Sequence, residues 1–311
     1  MTKEQHLAAL SCLALKRGAR ALAFALLAGC AGLPEHVVRT ETHAIADPEP
    51  TELGRIVAAS VTVSARSRGE SGFRLLGSGH AAFEHRILLI DHAQRSLDLQ
   101  YYITHNDESV RVIAGHLIAA AERGVRVLVD DFQTAGADAA LIRFASRPAI
   151  EVRLFNPFGG ARGSVLGRVI SGLGELGRLN RRMHNKLFVA DNAVAITGRN
   201  LGDEYFTMGA DSNFLDIDVL AVGQIVMDLS ASFDMFWNSS LAYPAAAVIG
   251  LSIDAAGPIR VHALLPSTSI ASADSLEGEL RTGRLDLEWP PLPCSPTGPG
   301  KLKAAQLGST L

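Results

Sequence analysis

The chain has 311 residues, 48% of them apolar, and a formal charge of −3 from 29 basic and 32 acidic side chains. That is enough apolar material for a sizeable core, and length alone suggests about two units of roughly 150 residues. The near-neutral charge argues against a chain-wide cationic surface for nucleic acid. No apolar run reaches the roughly 20 residues needed to span a bilayer, and Cys12, Cys30 and Cys294 have neither zinc-site nor disulfide-framework spacing.

Lys16, Arg17 and Arg20 precede a short apolar run from Ala21 to Ala28, the pattern of an export signal over residues 1–29. Its end, Leu27-Ala28-Gly29-Cys30, resembles the lipobox of bacterial lipoproteins. That resemblance implies lipid attachment at Cys30 and a protein anchored to a membrane of the bacterial cell envelope rather than spanning it. Residues 30–71 read as anchor and tether, with three prolines and little sustained periodicity. From Gly72 the pattern changes, and residues 72–245 read as one α/β domain. A helical rhythm over 81–95 leads to a strand at 96–103. A helix over 109–123 stops at Gly124, and a β-branched strand over 125–129 ends at Asp130-Asp131. A helix near 138–146, a strand at 150–155, a helix near 165–179 and a strand at 187–190 follow. A second apolar strand precedes Gly198, 214–222 reads as a further strand, and 225–237 reads as a closing helix. Strands alternating with helices indicate a largely parallel or mixed sheet. In 246–311 the pattern decays into a low-complexity or disordered tail, where six of the thirteen prolines fall at or beyond Pro266.

His184 and Lys186 are two apart at the start of an apolar strand, so both side chains share a face. A neutral imidazole can attack an electrophile, and an adjacent ammonium can hold an anion. The turn at Asp191-Asn192 leads into the next strand, which ends in Gly198-Arg199-Asn200, where backbone and amide donors can meet phosphate oxygens. Asp130-Asp131 reads as a polar pair closing a strand. His80, His85, His92 and His116 read as solvent-facing or satisfied residues. Arg178, Arg181 and Arg182 read equally as head-group contacts or as a solvated basic face. The loop Gly159-Gly160-Ala161-Arg162-Gly163 lacks the lysine and serine of a nucleotide-binding P-loop.

The order His184-x-Lys186-x4-Asp191, then a strand and a Gly-x-Asn turn, resembles the HKD motif of the phospholipase D superfamily. The flanking Asn200-Leu201-Gly202-Asp203-Glu204-Tyr205-Phe206 is similar to the bacterial cardiolipin synthase C-like branch. So are Gly72-Phe73-Arg74-Leu75-Leu76, Asp98-Leu99-Gln100-Tyr101-Tyr102-Ile103 and Asp130-Asp131 upstream. The resemblance covers about residues 70–245. It implies an α/β fold with a phospholipase D-like mixed sheet flanked by helices, as a single, N-terminal HKD half-domain. It also implies a phosphatidyltransferase that works on phospholipid phosphodiesters through a phosphohistidine, without metal or cofactor. On this chain His184 is then the nucleophile, Lys186 and Asn200 the phosphate clamp, with Gly198 in the turn that carries it. Asp191 is the motif aspartate, which organises the site. Asp216 or Asp218 orients the imidazole, with Asp218 preferred. Members of that branch carry two HKD motifs, and no second His-x-Lys occurs here. Asn200 also lies nine residues beyond Asp191, one fewer than the family pattern. The expected partners are a phosphatidylglycerol-like phospholipid, a membrane surface through the lipid anchor, and a second copy or a complementing HKD half. Nucleic acid is disfavoured. Two other functions fit the same residues: a homodimeric HKD nuclease or phosphodiesterase, and a catalytically inactive truncated lipoprotein.

Overall fold

The computed structural model describes residues 33–134, 137–160, 162, 167–168, 176–250 and 276–290. The export signal and Cys30 lie outside these residues. Most of the stretch read as a helix near 165–179 does too, although Leu176–Leu179 is helical. Among the described residues no helix is long and apolar enough to cross a membrane.

Eight strands form one mixed sheet: β1 (Gly72–Leu76), β2 (Leu97–Tyr101), β3 (Val125–Asp130), β4 (Ile150–Phe155), β5 (Lys186–Ala190), β6 (Val194–Thr197), β7 (Asp218–Val222) and β8 (Ala242–Pro244). Their order is β1-β7-β6-β5-β2-β3-β4-β8. Strands β2, β3 and β4, fifth to seventh in that order, run parallel, and every other pairing is antiparallel. This is the mixed, helix-flanked α/β sheet expected from the sequence. Period-2 alternation divides β5 between two cores: Phe188 and Ala190 enter one cluster, Leu187 and Val189 the other. Helices α3 (Gly79–His92) and α4 (Glu108–Ala119) cover the first face. The second is covered by α7 (Gln224–Trp237), through Val226, Phe233 and Trp237. The shorter helices α5 (Asp138–Ala145), α6 (Leu176–Leu179) and α8 (Ala245–Ile249) fill the crossovers and the β8 side. Ser78 and Asp107 cap α3 and α4 by accepting from Ala81 N and Val110 N, which satisfies otherwise orphaned first-turn donors.

Three expectations need correction. Residues 33–71 are no loose tether. Thr51 and Thr62 cap two helices, α1 (Glu52–Ser60) and α2 (Val63–Arg68), which bury Leu53, Ile56 and Ala65. Ahead of them a belt is held by distant side chains. Arg39 donates to Ala242 O at 2.9 Å, Arg126 to Thr42 O at 3.0 Å, Trp237 Nε1 to Thr42 Oγ1 at 2.8 Å and Asn192 to Ile45 O at 2.7 Å. Nor is the whole of 246–311 a loose tail. A strap comprising α9 (Leu276–Thr282) and the residues up to 290 buries Leu276, Leu280 and Leu285. Phe73 and Glu288 exchange backbone hydrogen bonds of 2.8 and 2.9 Å, so the strap pairs with the outer edge of β1, which edge strands otherwise leave open. Finally, the strand expected over 214–222 begins only at Asp218. Phe214, Leu215 and Ile217 are exposed, and β1 ends opposite Asp218, so among the described residues no strand pairs with the earlier ones.

Candidate active site

The register fixes which residues share an end of the sheet. Tyr101 pairs with Lys186, Leu187 with Thr197, Thr197 with Val219 and Leu76 with Asp218. The entry to β5 therefore stands beside the exits of β2, β3 and β6 and the entry to β7. His184, Lys186, Gly198 and Asn200 all gather at that end. His184 is exposed and Lys186 half-buried. Lys186 Nζ lies 2.9 Å from each ring nitrogen of His184 and donates to the His184 carbonyl at 2.9 Å. The edge of Tyr102 meets the imidazole at 4.7 Å between centroids, and Nζ lies 5.6 Å from the centre of the same phenol ring. Partial burial and the neighbouring ammonium hold the His184 pKa below its ordinary value, which keeps the ring neutral and nucleophilic. Desolvation also lowers the Lys186 pKa, against an opposing pull from the Asp216 carboxylate.

Gly198 turns the chain out of β6 at φ +140°, and a Cβ there would collide with Ile217 O and Asp218 Oδ1. Only glycine fits this close approach. Asn200 is buried. Its Oδ1 accepts from Ile103 N at 3.1 Å, so the amide is aimed by the backbone just beyond β2.

Two sequence-derived site residues are placed elsewhere. Asp191 lies at the far end of β5, roughly 17 Å from Lys186 at the usual strand rise. It is fully buried, and its carboxylate accepts from Gln94 N, Arg95 N and Ser96 N at 2.7–3.1 Å. It organises the α3–β2 connection and touches nothing at the His184 end. Asp218, expected to orient the imidazole, is taken by arginines. Arg86 holds it with two bonds of 2.8 and 3.1 Å, and Arg199 donates to it from N at 2.7 Å and from Nη1 at 3.3 Å. These cations keep its pKa low despite burial. A buried carboxylate between two guanidinium groups is paired where it stands, and no hydrogen bond joins it to His184 among the described residues. Of the two carboxylates, Asp216 is the one whose charge acts on the Lys186 ammonium.

Arg178 and Arg182 are not a solvated basic face. Arg178 donates to Pro157 O at 3.0 Å, and Arg182 donates to Asp130 Oδ1 at 3.1 Å and to Leu179 O at 2.8 Å. Arg181 is exposed. The sequence reading missed Tyr102, whose position just beyond the apolar β2 was the available signal, and undervalued Asp130. Burial raises the Asp130 pKa, against the bonds from Met183 N and Arg182. His105, Asp107 and Glu204 bring ligand-type atoms within 4.8 Å of one another. All three are accounted for as a loop clasp: His105 pairs with Glu204 at 2.9 Å, and Asp107 caps α4 and accepts from Asp203 N at 2.7 Å.

No family model matches the chain. Cardiolipin synthase C of Escherichia coli is 41% identical over 193 residues, 61% of this chain and 40% of that protein. An uncharacterized protein of Helicobacter pylori is 38% identical over 221 residues, 70% of this chain and 43% of its own length. The chain thus matches less than half the length of these relatives. Among solved structures, NucT from Helicobacter pylori aligns over 56% of this chain and 99% of its own, at 16% identity and a TM-score of 0.40. By its HKD motif, its mixed sheet and its 41% identity to cardiolipin synthase C, the chain carries a phospholipase D-like half-domain, similar to the cardiolipin synthase C-like branch of that superfamily.

Proposed function

We propose that the chain is a phospholipase D-type phosphatidyltransferase half that works on phosphodiesters of phosphatidylglycerol-like lipids. The observation that carries this reading is the neutral His184 imidazole with the Lys186 ammonium 2.9 Å away at an open sheet end. A ring nitrogen of His184 attacks phosphorus, the P–O bond to the headgroup alcohol breaks, and the phosphatidyl group rests on histidine. An acceptor hydroxyl then attacks phosphorus and frees the imidazole. Lys186 and the Asn200 amide stabilise charge on the phosphoryl oxygens, the kind of fixed donors such a transition state requires. The leaving alkoxide takes its proton from a second imidazole, on a complementing half-domain or another copy of this chain, and the acceptor hydroxyl returns a proton to that ring as the P–N bond breaks. A positioned acid of this kind typically contributes about 10²–10⁴-fold. In the isolated monomer water must supply that proton, so phosphohistidine forms slowly and turnover is low. Attachment through Cys30 would keep the site at an envelope membrane, near its lipid.

Incubation with phosphatidylglycerol labelled in its phosphate tests the reading. Acid-labile label on the wild-type chain, absent from His184→Ala, is expected, with cardiolipin and glycerol released once a complementing half is added. A wild-type chain that takes up no label under either condition overturns it. Cys30→Ser, expressed in a bacterium, should lose fatty-acid labelling and membrane association. Continued labelling removes the anchor from the proposal.

A further inference from the structure

We propose that Asp130 is the positioning residue of the nucleophile: its buried carboxylate fixes the chain entering β5 and, through it, the place of His184 beside Tyr102. The inference rests on the reading of His184 as nucleophile.

His184 has little of its own to hold it. The ring is exposed, and among the described residues its nitrogens meet only Lys186 Nζ. The two residues before it are fixed instead. Met183 is fully buried and donates its N–H to Asp130 Oδ2 at 2.9 Å. Arg182 Nη1 donates to Asp130 Oδ1 at 3.1 Å and to Asn156 O at 3.2 Å, and its Nε donates to Leu179 O at 2.8 Å. The Arg182 guanidinium also lies 5.4 and 5.0 Å from the ring centres of Phe132 and Phe158. The chain thus crosses from the exit of β3 over β2 on anchored points, and His184 is the first residue beyond the last of them.

The same carboxylate governs the opposite wall. Asp130 Oδ1 accepts from Phe132 N at 2.9 Å, and the Phe132 ring stacks on Tyr102 at 6.4 Å and 10°. Tyr102 is the ring whose edge meets His184. One fully buried carboxylate therefore sets both the nucleophile and the surface against which it packs. Displacing a reacting group by about 1 Å can cost about 100-fold in rate, so a carboxylate that touches no substrate still bears on turnover.

The test uses the full chain with ¹³C-labelled histidine, the His184 signal being assigned by its loss in His184→Ala. The Tyr102 ring current should displace that resonance, and Tyr102→Leu should abolish the displacement. Asp130→Leu combined with Arg182→Met replaces the ion pair by apolar groups, a change that buried pairs often tolerate. In this double variant the displacement should vanish, and kcat should fall about 100-fold with KM changed by less than about twofold. Asp130→Glu keeps the charge for Arg182 but carries its oxygens one methylene further, and it serves if the double variant does not fold. It should move the same resonance and lower kcat. A His184 resonance and a kcat at wild-type values, in whichever of these variants is folded, overturn the proposal. A wild-type chain without any phosphatidyl transfer counts against the proposed function instead, and the resonance still tests the positioning.

Discussion

At one end of β5, His184 and Lys186 stand open to solvent with their nitrogens 2.9 Å apart and few other partners. At the other end Asp191 is fully buried, with its carboxylate shared by three backbone N–H groups. Both ends belong to one short motif, yet they differ in almost every physical respect. The near end keeps its polar groups incompletely paired, as groups that must bind and release a substrate require. At the far end the Asp191 carboxylate and the Asn192 amide are both paired. Asp191 and Asn192 adopt φ of +52° and +50°, and Ala193 N closes the turn on Ala190 O at 3.0 Å, a hairpin geometry for which Asp and Asn are suited. Asn192 carries the pairing further, accepting from Ser230 Oγ at 2.6 Å and holding the N-terminal belt. The motif thus joins two roles along a strand: its histidine and lysine carry the chemistry of the proposed function, and its aspartate is architecture.

Substitutions can break or sharpen that contrast. The largest effect should come from the far end. Asp191→Ala strands the N–H groups of Gln94, Arg95 and Ser96, and an unsatisfied buried donor costs about 1–3 kcal/mol. A loss of about 3–5 kcal/mol in urea unfolding is therefore expected. A loss below about 1 kcal/mol would mean that the carboxylate is not an architectural centre.

Between the two ends, His85 on α3 provides a pH test. Burial pushes its pKa down to about 4, with the Arg74 and Arg86 charges adding to the effect, while the Ala81 carbonyl and the Asp218 charge oppose it. Among the described residues its Nε2 has no hydrogen-bond partner. The unfolded chain binds this proton more readily, at an ordinary pKa of 6.5. The contribution to stability is therefore complete above that value and is lost as pH falls toward about 4. The whole loss amounts to about 3 kcal/mol. The urea midpoint of the wild type should drop through this window, and His85→Gln should flatten the slope. Parallel slopes for the two proteins would locate the acid sensitivity elsewhere.

Gly198→Ala returns to the near end. The added methyl meets Ile217 O and Asp218 Oδ1, and backbone strain of this kind costs about 1–3 kcal/mol. Phosphohistidine formation should fall as Asn200 moves, so labelling and thermal unfolding measured together should both respond. Unchanged labelling would show that the turn does not place the amide. The smallest stability effect belongs to His184→Ala, within about 0.5 kcal/mol of wild type, because the ring is exposed and supports nothing. That variant should nevertheless lose all label transfer, which would separate chemistry from architecture most sharply.

Much of the sheet was legible from local pattern alone. The helices observed at 79–92, 108–119 and 224–237 and the strands at 97–101, 125–130 and 150–155 follow apolar periodicity, and period 2 placed His184 and Lys186 on one face. The turn at Gly198 was marked by its glycine. Less local features were misread. The belt reads as a tether because the bonds that fix it come from far along the chain: Arg39 reaches a carbonyl 203 residues away, and Thr42 O accepts from Asn238, 196 residues away. The strap over β1 is invisible in a proline-rich stretch for the same reason.

By itself the sequence placed an imidazole, an ammonium and an amide in one short motif, and showed that alternating strands and helices form a mixed sheet, because both depend on identity and short-range spacing. Only the tertiary structure decided which carboxylate serves which end. Asp218 is captured by Arg86, 132 residues away, and Asp191 is turned to the far end of β5. Asp130 is brought under Met183, 53 residues later. A buried charge is assigned by whichever partner the fold delivers to it, since an unpaired charge in the interior is too costly to keep, and that delivery is a property of chain crossings that no local pattern encodes.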